Sequence, residues 1–270
     1  VALFDHLGVQ TKTSDMSFSV STDGGRFEYA DSLAGLFARR RNVASLRFWT
    51  MLRDIRRFYR DAPRELGNAE CDELTLGEYL EAQGYSDAFV NDHILPLSAA
   101  IWSSPIDKMR GYPLGAFLRF FDNHRLFNFR DRPSWRTVKN GSRSYVRRLV
   151  ASLRETVKVG CGVAAVRRSP SGVTVLDQGG RSHGFDHVVI AAHADQALSM
   201  LANPDRHERR ILGAFKYSTN RLMVHGDTAL MPCRRRAWAS WNYLREDTTS
   251  HGPVSVTYWM NRLQGIPTQS

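Results

Sequence analysis

Cysteine is scarce and scattered in this chain of 270 residues. Cys71, Cys161 and Cys233 stand far apart with no C-x-x-C pair, which argues against a disulfide framework and against the usual structural zinc spacings. No apolar run is long enough to cross a bilayer and no signal-type apolar leader is present, so a cytoplasmic address is the default expectation. The nine histidines show no H-E-x-x-H or comparable ligand spacing, and no metal is expected. Also absent are G-x-S-x-G, a P-loop, internal repeats and low-complexity tracts. Their absence removes the usual hydrolase, P-loop nucleotide and repeat-array readings.

Acidic residues are in deficit, with 27 Asp and Glu against 37 Lys and Arg, for a net charge of +10. A basic balance can steer anionic partners. Yet no zinc-finger spacing, RNP-like run or basic region followed by heptads accompanies it, so nucleic acid is not an expected partner. The remaining composition, 42% hydrophobic and 24% charged, is that of an ordinary globular chain long enough for one large domain or two small ones.

What is present begins with a hairpin pattern. Met16 to Ser21 alternate, Asp23, Gly24 and Gly25 supply a turn, and Arg26 to Tyr29 return. Ser45 to Arg60 then places Leu46, Trp49, Leu52, Ile55, Phe58 and Tyr59 at helical spacing, with Arg53, Arg56, Arg57 and Arg60 on other faces. Such a helix either packs its apolar stripe on a core or lies on a membrane surface. Thr75 and Glu78 form a capping-box pattern. From Tyr112 to Phe129 the chain is rich in aromatics, including Phe117, Phe120, Phe121 and Phe127, which suits a core or an apolar substrate cavity.

Trp135 to Gly141 reads as a short strand and Ser142 to Leu153 as the helix after it. Val188 to Ala192 is a continuous apolar run, expected as a strand covered on both faces in a parallel sheet. Three further strands are expected at Tyr217 to His225, Ala237 to Leu244 and Val254 to Met260, forming an antiparallel sheet. Gly160, Gly162 and Ala165 match G-x-G-x-x-G/A. The phosphate-binding mechanism needs a helix directly afterwards, and Ser169, Pro170, Ser171 and Gly172 leave no room for one, so the match is rejected. His193 and Asp195 suggest an acid–base pair, but an Asp opening a helix is more often a cap. No catalytic residue is assigned.

Several runs carry a resemblance to a known family. These are SDMSFSVS (Ser14 to Ser21), LPLSAAIWSSP (Leu95 to Pro105), WRTVKNGSRSYV (Trp135 to Val146), AWASWNYL (Ala237 to Leu244) and VTYWMNRLQ (Val256 to Gln264). Together with Gly162 to Leu198 they resemble flavin-containing amine oxidase-like proteins, the group that includes monoamine oxidases, protoporphyrinogen oxidase and phytoene desaturases. The likeness is closer to a bacterial subgroup of predicted NAD/FAD-binding, FAD-dependent amine oxidoreductases.

The resemblance implies an α/β plus α+β fold, in which a partial FAD/NAD(P)-binding Rossmann-like domain is interleaved with a helical and antiparallel-sheet substrate domain. The implied division is residues 1–134 for the substrate-domain hairpin and helices, 135–203 for the middle of the FAD-binding domain, and 204–270 for the substrate-domain sheet. FAD is the implied cofactor, with Val163, Ala191 and Ala192 beside it. Trp241, Asn242 and Tyr243 are implied pocket residues. Members of the family open with a true G-x-G-x-x-G strand-turn-helix and close with a second flavin-contacting segment. Neither is found here, so the chain is expected to be an internal fragment, inactive alone. No lysine matches the catalytic lysine of amine oxidases.

The implied activity is transfer of a hydride to flavin from an apolar amine or an unsaturated lipid-like small molecule. The alternative is a non-catalytic binding or membrane-surface module that uses the basic helix for peripheral membrane contact. No oligomeric state is implied.

Overall fold

Residues 2–128, 133–153, 157–245 and 254–267 are described by a computed structural model. The chain divides into two units, one of residues 1–144 with 224–270 and the other of residues 145–223. The described strands are, in chain order, β1 (Thr11–Thr13), β2 (Phe18–Thr22), β3 (Phe27–Ala30), β4 (Arg136–Val138), β5 (Val163–Ser169), β6 (Gly172–Asp177), β7 (Ser182–Phe185), β8 (Trp241–Arg245) and β9 (Val254–Tyr258).

In the first unit the basic amphipathic stretch forms the Leu46–Asp61 helix, started by the Ser45 hydroxyl accepting from the Phe48 amide at 3.3 Å. It buries Phe48, Met51, Ile55, Phe58 and Tyr59. Phe58 lies 5.4 Å from the ring of Phe89, 5.7 Å from Tyr85 and 6.0 Å from Phe127. Each large apolar side chain fully buried contributes about 1.5–3 kcal/mol, so Ile55, Phe58 and Tyr59 of the expected stripe belong to the core with Phe48 and Met51, while Leu46 and Trp49 are exposed. Phe117, Phe121 and Phe127 are buried in the same cluster and Phe120 packs against it, which makes most of the aromatic-rich stretch core. Phe129 lies outside the described residues. The Thr75 capping box forms as expected.

The sheet of this unit has the order β3-β2-β8-β9. The hairpin turn holds Asp23, Gly24 and Gly25 at φ of 55°, 59° and 80°, the left-handed region that glycine tolerates best. β8 and β9 pair antiparallel as the pattern suggests, but β2 and β8 run parallel in register, Phe18 against Trp241. Period-two alternation then sorts the side chains. Phe18, Val20, Tyr29 and Tyr243 join the helical core, while Ser19, Ser21, Glu28 and Asn242 are buried on the opposite side.

In the second unit β5, β6 and β7 form an antiparallel meander. Two expected strands are not there. Val188 to Ala192 adopts no ladder, and Val189 is 91% exposed. Tyr217 to His225 is likewise irregular, with Leu222 and Met223 more than four-fifths exposed. A strand is completed by its neighbours, since apolar content gives no hydrogen bonds by itself. No described strand pairs with either run.

Candidate functional site

Four of the sequence runs meet around Asp15 and Ser14, and the fifth reaches β8 and β9. The Asp15 carboxylate accepts from the Ser17 amide at 2.8 Å, from Ser240 Oγ at 2.8 Å and from Arg262 Nη2 at 2.8 Å, and it also takes the Ser17 hydroxyl. Next to it, the Ser14 amide donates to the Trp135 carbonyl at 2.8 Å and Ser14 Oγ to the Leu263 carbonyl at 2.8 Å. The Leu95–Trp102 helix meets β8 from the core side, and the Tyr258 hydroxyl donates to the Ala100 carbonyl at 3.4 Å. Partial burial opposes ionisation of Asp15, but Ser17, Ser240 and Arg262 outweigh it and hold the carboxyl below its usual range. Asp15 is thus a charged knot that fixes the start of β2, the entry to β8 and the helix after β9.

β8 carries the three expected pocket residues, and the strand gives them different surroundings. Asn242 is fully buried, accepting from Ser19 Oγ and the Ala239 amide at 2.8 Å each and donating to the carbonyls of Ala239 at 2.7 Å and Thr257 at 3.0 Å. Tyr243 is also fully buried, and burial pushes its phenol up to about 12 while Arg245 pulls the other way. Trp241 is half-buried and meets the Tyr258 ring edge-on at 5.5 Å. Of the three, Trp241 alone keeps surface toward solvent.

Behind this sheet lies a buried polar group that the sequence did not signal. His93 Nδ1 is 2.9 Å from the Tyr29 hydroxyl and its Nε2 is 3.4 Å from that of Tyr59. Asp92 pairs with Arg47 at 2.6 Å and 3.0 Å. Burial raises the Asp92 carboxyl, with Arg47 opposing.

The expected cofactor-side residues all fall in the second unit. Val163 opens β5, half-buried, and Ala191 and Ala192 are exposed in the irregular run that leads into the Ala194–Met200 helix. Gly160 and Gly162 lead into a strand and not a helix, in agreement with rejecting the glycine fingerprint. His193 and Asp195 have structural partners. The His193 ring stacks on Tyr217 at 4.5 Å, and Asp195 Oδ1 accepts from the Gln196 amide at 2.8 Å.

One cluster in this unit joins residues from different strands or strand ends of the β5–β7 meander. Asp177 Oδ2 lies 3.3 Å from Cys161 Sγ, 3.2 Å from His183 Nε2 and 3.0 Å from Arg181 Nε, and Oδ1 accepts from the Arg181 amide at 2.9 Å. The Arg181 backbone N–H, then His183, Cys161 and the Arg181 guanidinium, hold this carboxyl far below its usual range. Motif reading missed it because its members occupy three different strands or strand ends, and no fixed spacing joins them.

A family model described as flavin containing amine oxidoreductase matches residues 1–262. No curated protein matches the chain. Among solved structures, the chain is similar to wild-type putrescine oxidase bound to putrescine, at 17% identity and a TM-score of 0.56 over 78% of this chain and 49% of that one. It is also similar to a CLA-producing fatty acid isomerase from P. acnes, at 14% identity and a TM-score of 0.54 over 78% and 48%. At these identities the likeness is one of fold. The chain spans about half the length of both structures.

Proposed function

Because the chain belongs to the flavin-containing amine oxidoreductase family, with FAD as the cofactor, we propose that the protein carrying it is an FAD-dependent oxidoreductase. The reaction would move a hydride from an apolar amine or an unsaturated lipid-like molecule to the flavin, the redox chemistry being the cofactor's own. The observation that carries this reading is the family match across 1–262.

The residues present fit part of that cofactor. Ala191 and Ala192 are small and exposed at the end of an irregular run, which suits close approach of a dinucleotide backbone or ring, and Val163 at the start of β5 would join them. This segment and the β5–β7 meander are our candidate for the middle of a Rossmann-like FAD domain. Among the described residues β4 turns through Asn140 and Gly141 into the Arg143–Leu153 helix, but that turn lacks the G-x-G-x-x-G glycines that cradle a pyrophosphate. The chain alone should therefore hold flavin weakly and be inactive. In the other unit, Trp241 would offer its half-buried face to the substrate with Tyr258 beside it, while Tyr243 in the core and Asn242 on the opposite face of β8 hold the strand in place.

The visible spectrum of the purified protein that carries this chain tests the reading. Flavin absorption bands that bleach on anaerobic addition of amines or unsaturated fatty acids are expected. A colourless protein that takes up no FAD on reconstitution would overturn it.

A second reading, peripheral contact with a membrane surface, is favoured by one observation. Leu33 and Leu46 are 82% and 83% exposed near exposed Val43 and Trp49, with Arg40 and Arg41 in the same stretch. Apolar side chains flanked by cations suit an anionic lipid interface. Flotation with phosphatidylserine vesicles should show binding that Leu46→Glu abolishes; no flotation of the wild type removes this reading.

A further inference from the structure

We propose that Cys161, Asp177 and His183 form a binding site for a single zinc-class divalent cation on the β5–β7 meander. The three side chains offer one thiol, one carboxylate and one imidazole, and their ligand atoms all lie within 4.8 Å of one another. A tetrahedral site with zinc bonds of 2.0–2.3 Å places its ligand atoms roughly 3.3–3.8 Å apart. Two of the three separations, 3.2 Å and 3.3 Å to Asp177 Oδ2, are already close to that. Thiolate and imidazole together select zinc or cobalt over magnesium or calcium.

The backbone explains why these residues meet. β6 and β7 are paired with Val175 opposite His183, so alternation puts His183 and Asp177 on one face. Val163 is opposite Asp177 across the β5–β6 pairing, and Cys161, two residues earlier, stays on that face. The Gln178 amide donates to the Gly162 carbonyl at 2.8 Å and ties the Cys161 end to the turn after β6.

Without a cation, three donors point at one carboxylate oxygen. Binding replaces two of them with metal bonds from Sγ and Nε2. The thiol proton leaves to solvent, and His183 presents its Nε2 lone pair with the proton on Nδ1. Thiolate and carboxylate then neutralise the dication. Arg181, whose side chain is 73% exposed, can turn outward to water. Three protein ligands leave the fourth position to a water molecule, the arrangement of an open zinc site.

Cobalt titration of the chelator-stripped chain tests this. The expected result is one Co2+ per chain, a thiolate-to-cobalt charge-transfer band in the near ultraviolet, visible bands of four-coordinate intensity, and their loss on adding Zn2+. Cys161→Ser should abolish the charge-transfer band. His183→Gln should weaken binding by at least about tenfold, since even groups that only support a ligand cost 10–100-fold. Both positions are half-buried, and far-ultraviolet circular dichroism confirms that each variant is folded. Failure of the wild type to bind cobalt, or a charge-transfer band that survives in Cys161→Ser because Cys71 or Cys233 supplies it, would overturn the proposal. The readout needs no flavin, so it stands or falls separately from the oxidoreductase reading.

Discussion

Asn242 uses all of its amide inside the protein, taking two hydrogen bonds at Oδ1 and giving two at Nδ2. A buried amide so engaged holds structure, because each partner it abandons is left desolvated at a cost of about 1–3 kcal/mol. Asn242→Leu keeps the volume and strips the Ala239 amide and the Ser19 hydroxyl of their partner. We expect a loss of about 2–4 kcal/mol in denaturant unfolding. A change within about 0.5 kcal/mol, the range of indifferent surface sites, would put Asn242 outside the supporting frame. Trp241 differs, since it is half-buried: if it faces the substrate as proposed, its replacement should raise KM in steady-state assays more than it lowers stability. Sequence pattern marked both residues through one run of letters; only the strand's alternation separates the residue facing the core from the one facing Ser19.

Asp54 joins two elements. Its side chain is fully buried on the Leu46–Asp61 helix, and its Oδ2 accepts from the Ser86 amide at 3.0 Å, where the helical stretch through Phe89 and His93 begins. Burial works against its ionisation, yet Ser86 and Arg53 outweigh that and leave the carboxyl below its usual value. A depressed carboxyl stabilises the fold above its unfolded pKa, about 3.9, and that contribution disappears as pH falls through the folded value. Asp54→Asn should therefore be less stable than wild type at neutral pH, with the gap narrowing below about pH 4. A gap that stays constant down the acid limb in pH-dependent melts would remove Asp54 from this role.

At this scale much was readable in advance. The hairpin, the Thr75 capping box and the Leu46–Asp61 helix follow from turn residues, caps and a 3.6 period, all of them local causes. The parallel pairing of β2 with β8 joins Ser19 to Asn242 across 223 positions and has no local signal. The expected strands at Val188 to Ala192 and Tyr217 to His225, which do not form, show the converse, apolar content without a neighbour to complete a ladder.

The two units bury apolar surface very unequally, and that difference predicts how the whole molecule opens. The contiguous apolar core, from Phe18 through Phe127 to Tyr243, lies entirely in the unit of residues 1–144 and 224–270. In residues 145–223 the buried hydrophobic side chains among the described residues are Val166 and Ala197. Val159, Val189, Leu222 and Met223 of that unit are instead more than four-fifths exposed. Local opening free energy follows buried apolar contact. Amides of β5, β6 and β7 should thus exchange with solvent well before those of β2 and β8 under native conditions. If Ala191, Ala192 and Val163 lie beside the flavin, adding FAD to the protein that carries this chain should slow exchange across 145–223. Binding to the folded form alone stabilises it by about 2.7 kcal/mol at a hundredfold excess over Kd, roughly a hundredfold in exchange rate where opening limits it. The unit of residues 1–144 and 224–270 should gain less, because its most protected strands already open only with the core. Equal protection in both units without FAD would contradict the stability argument. Equal protection gained on adding FAD would instead move the cofactor contact away from Val163, Ala191 and Ala192.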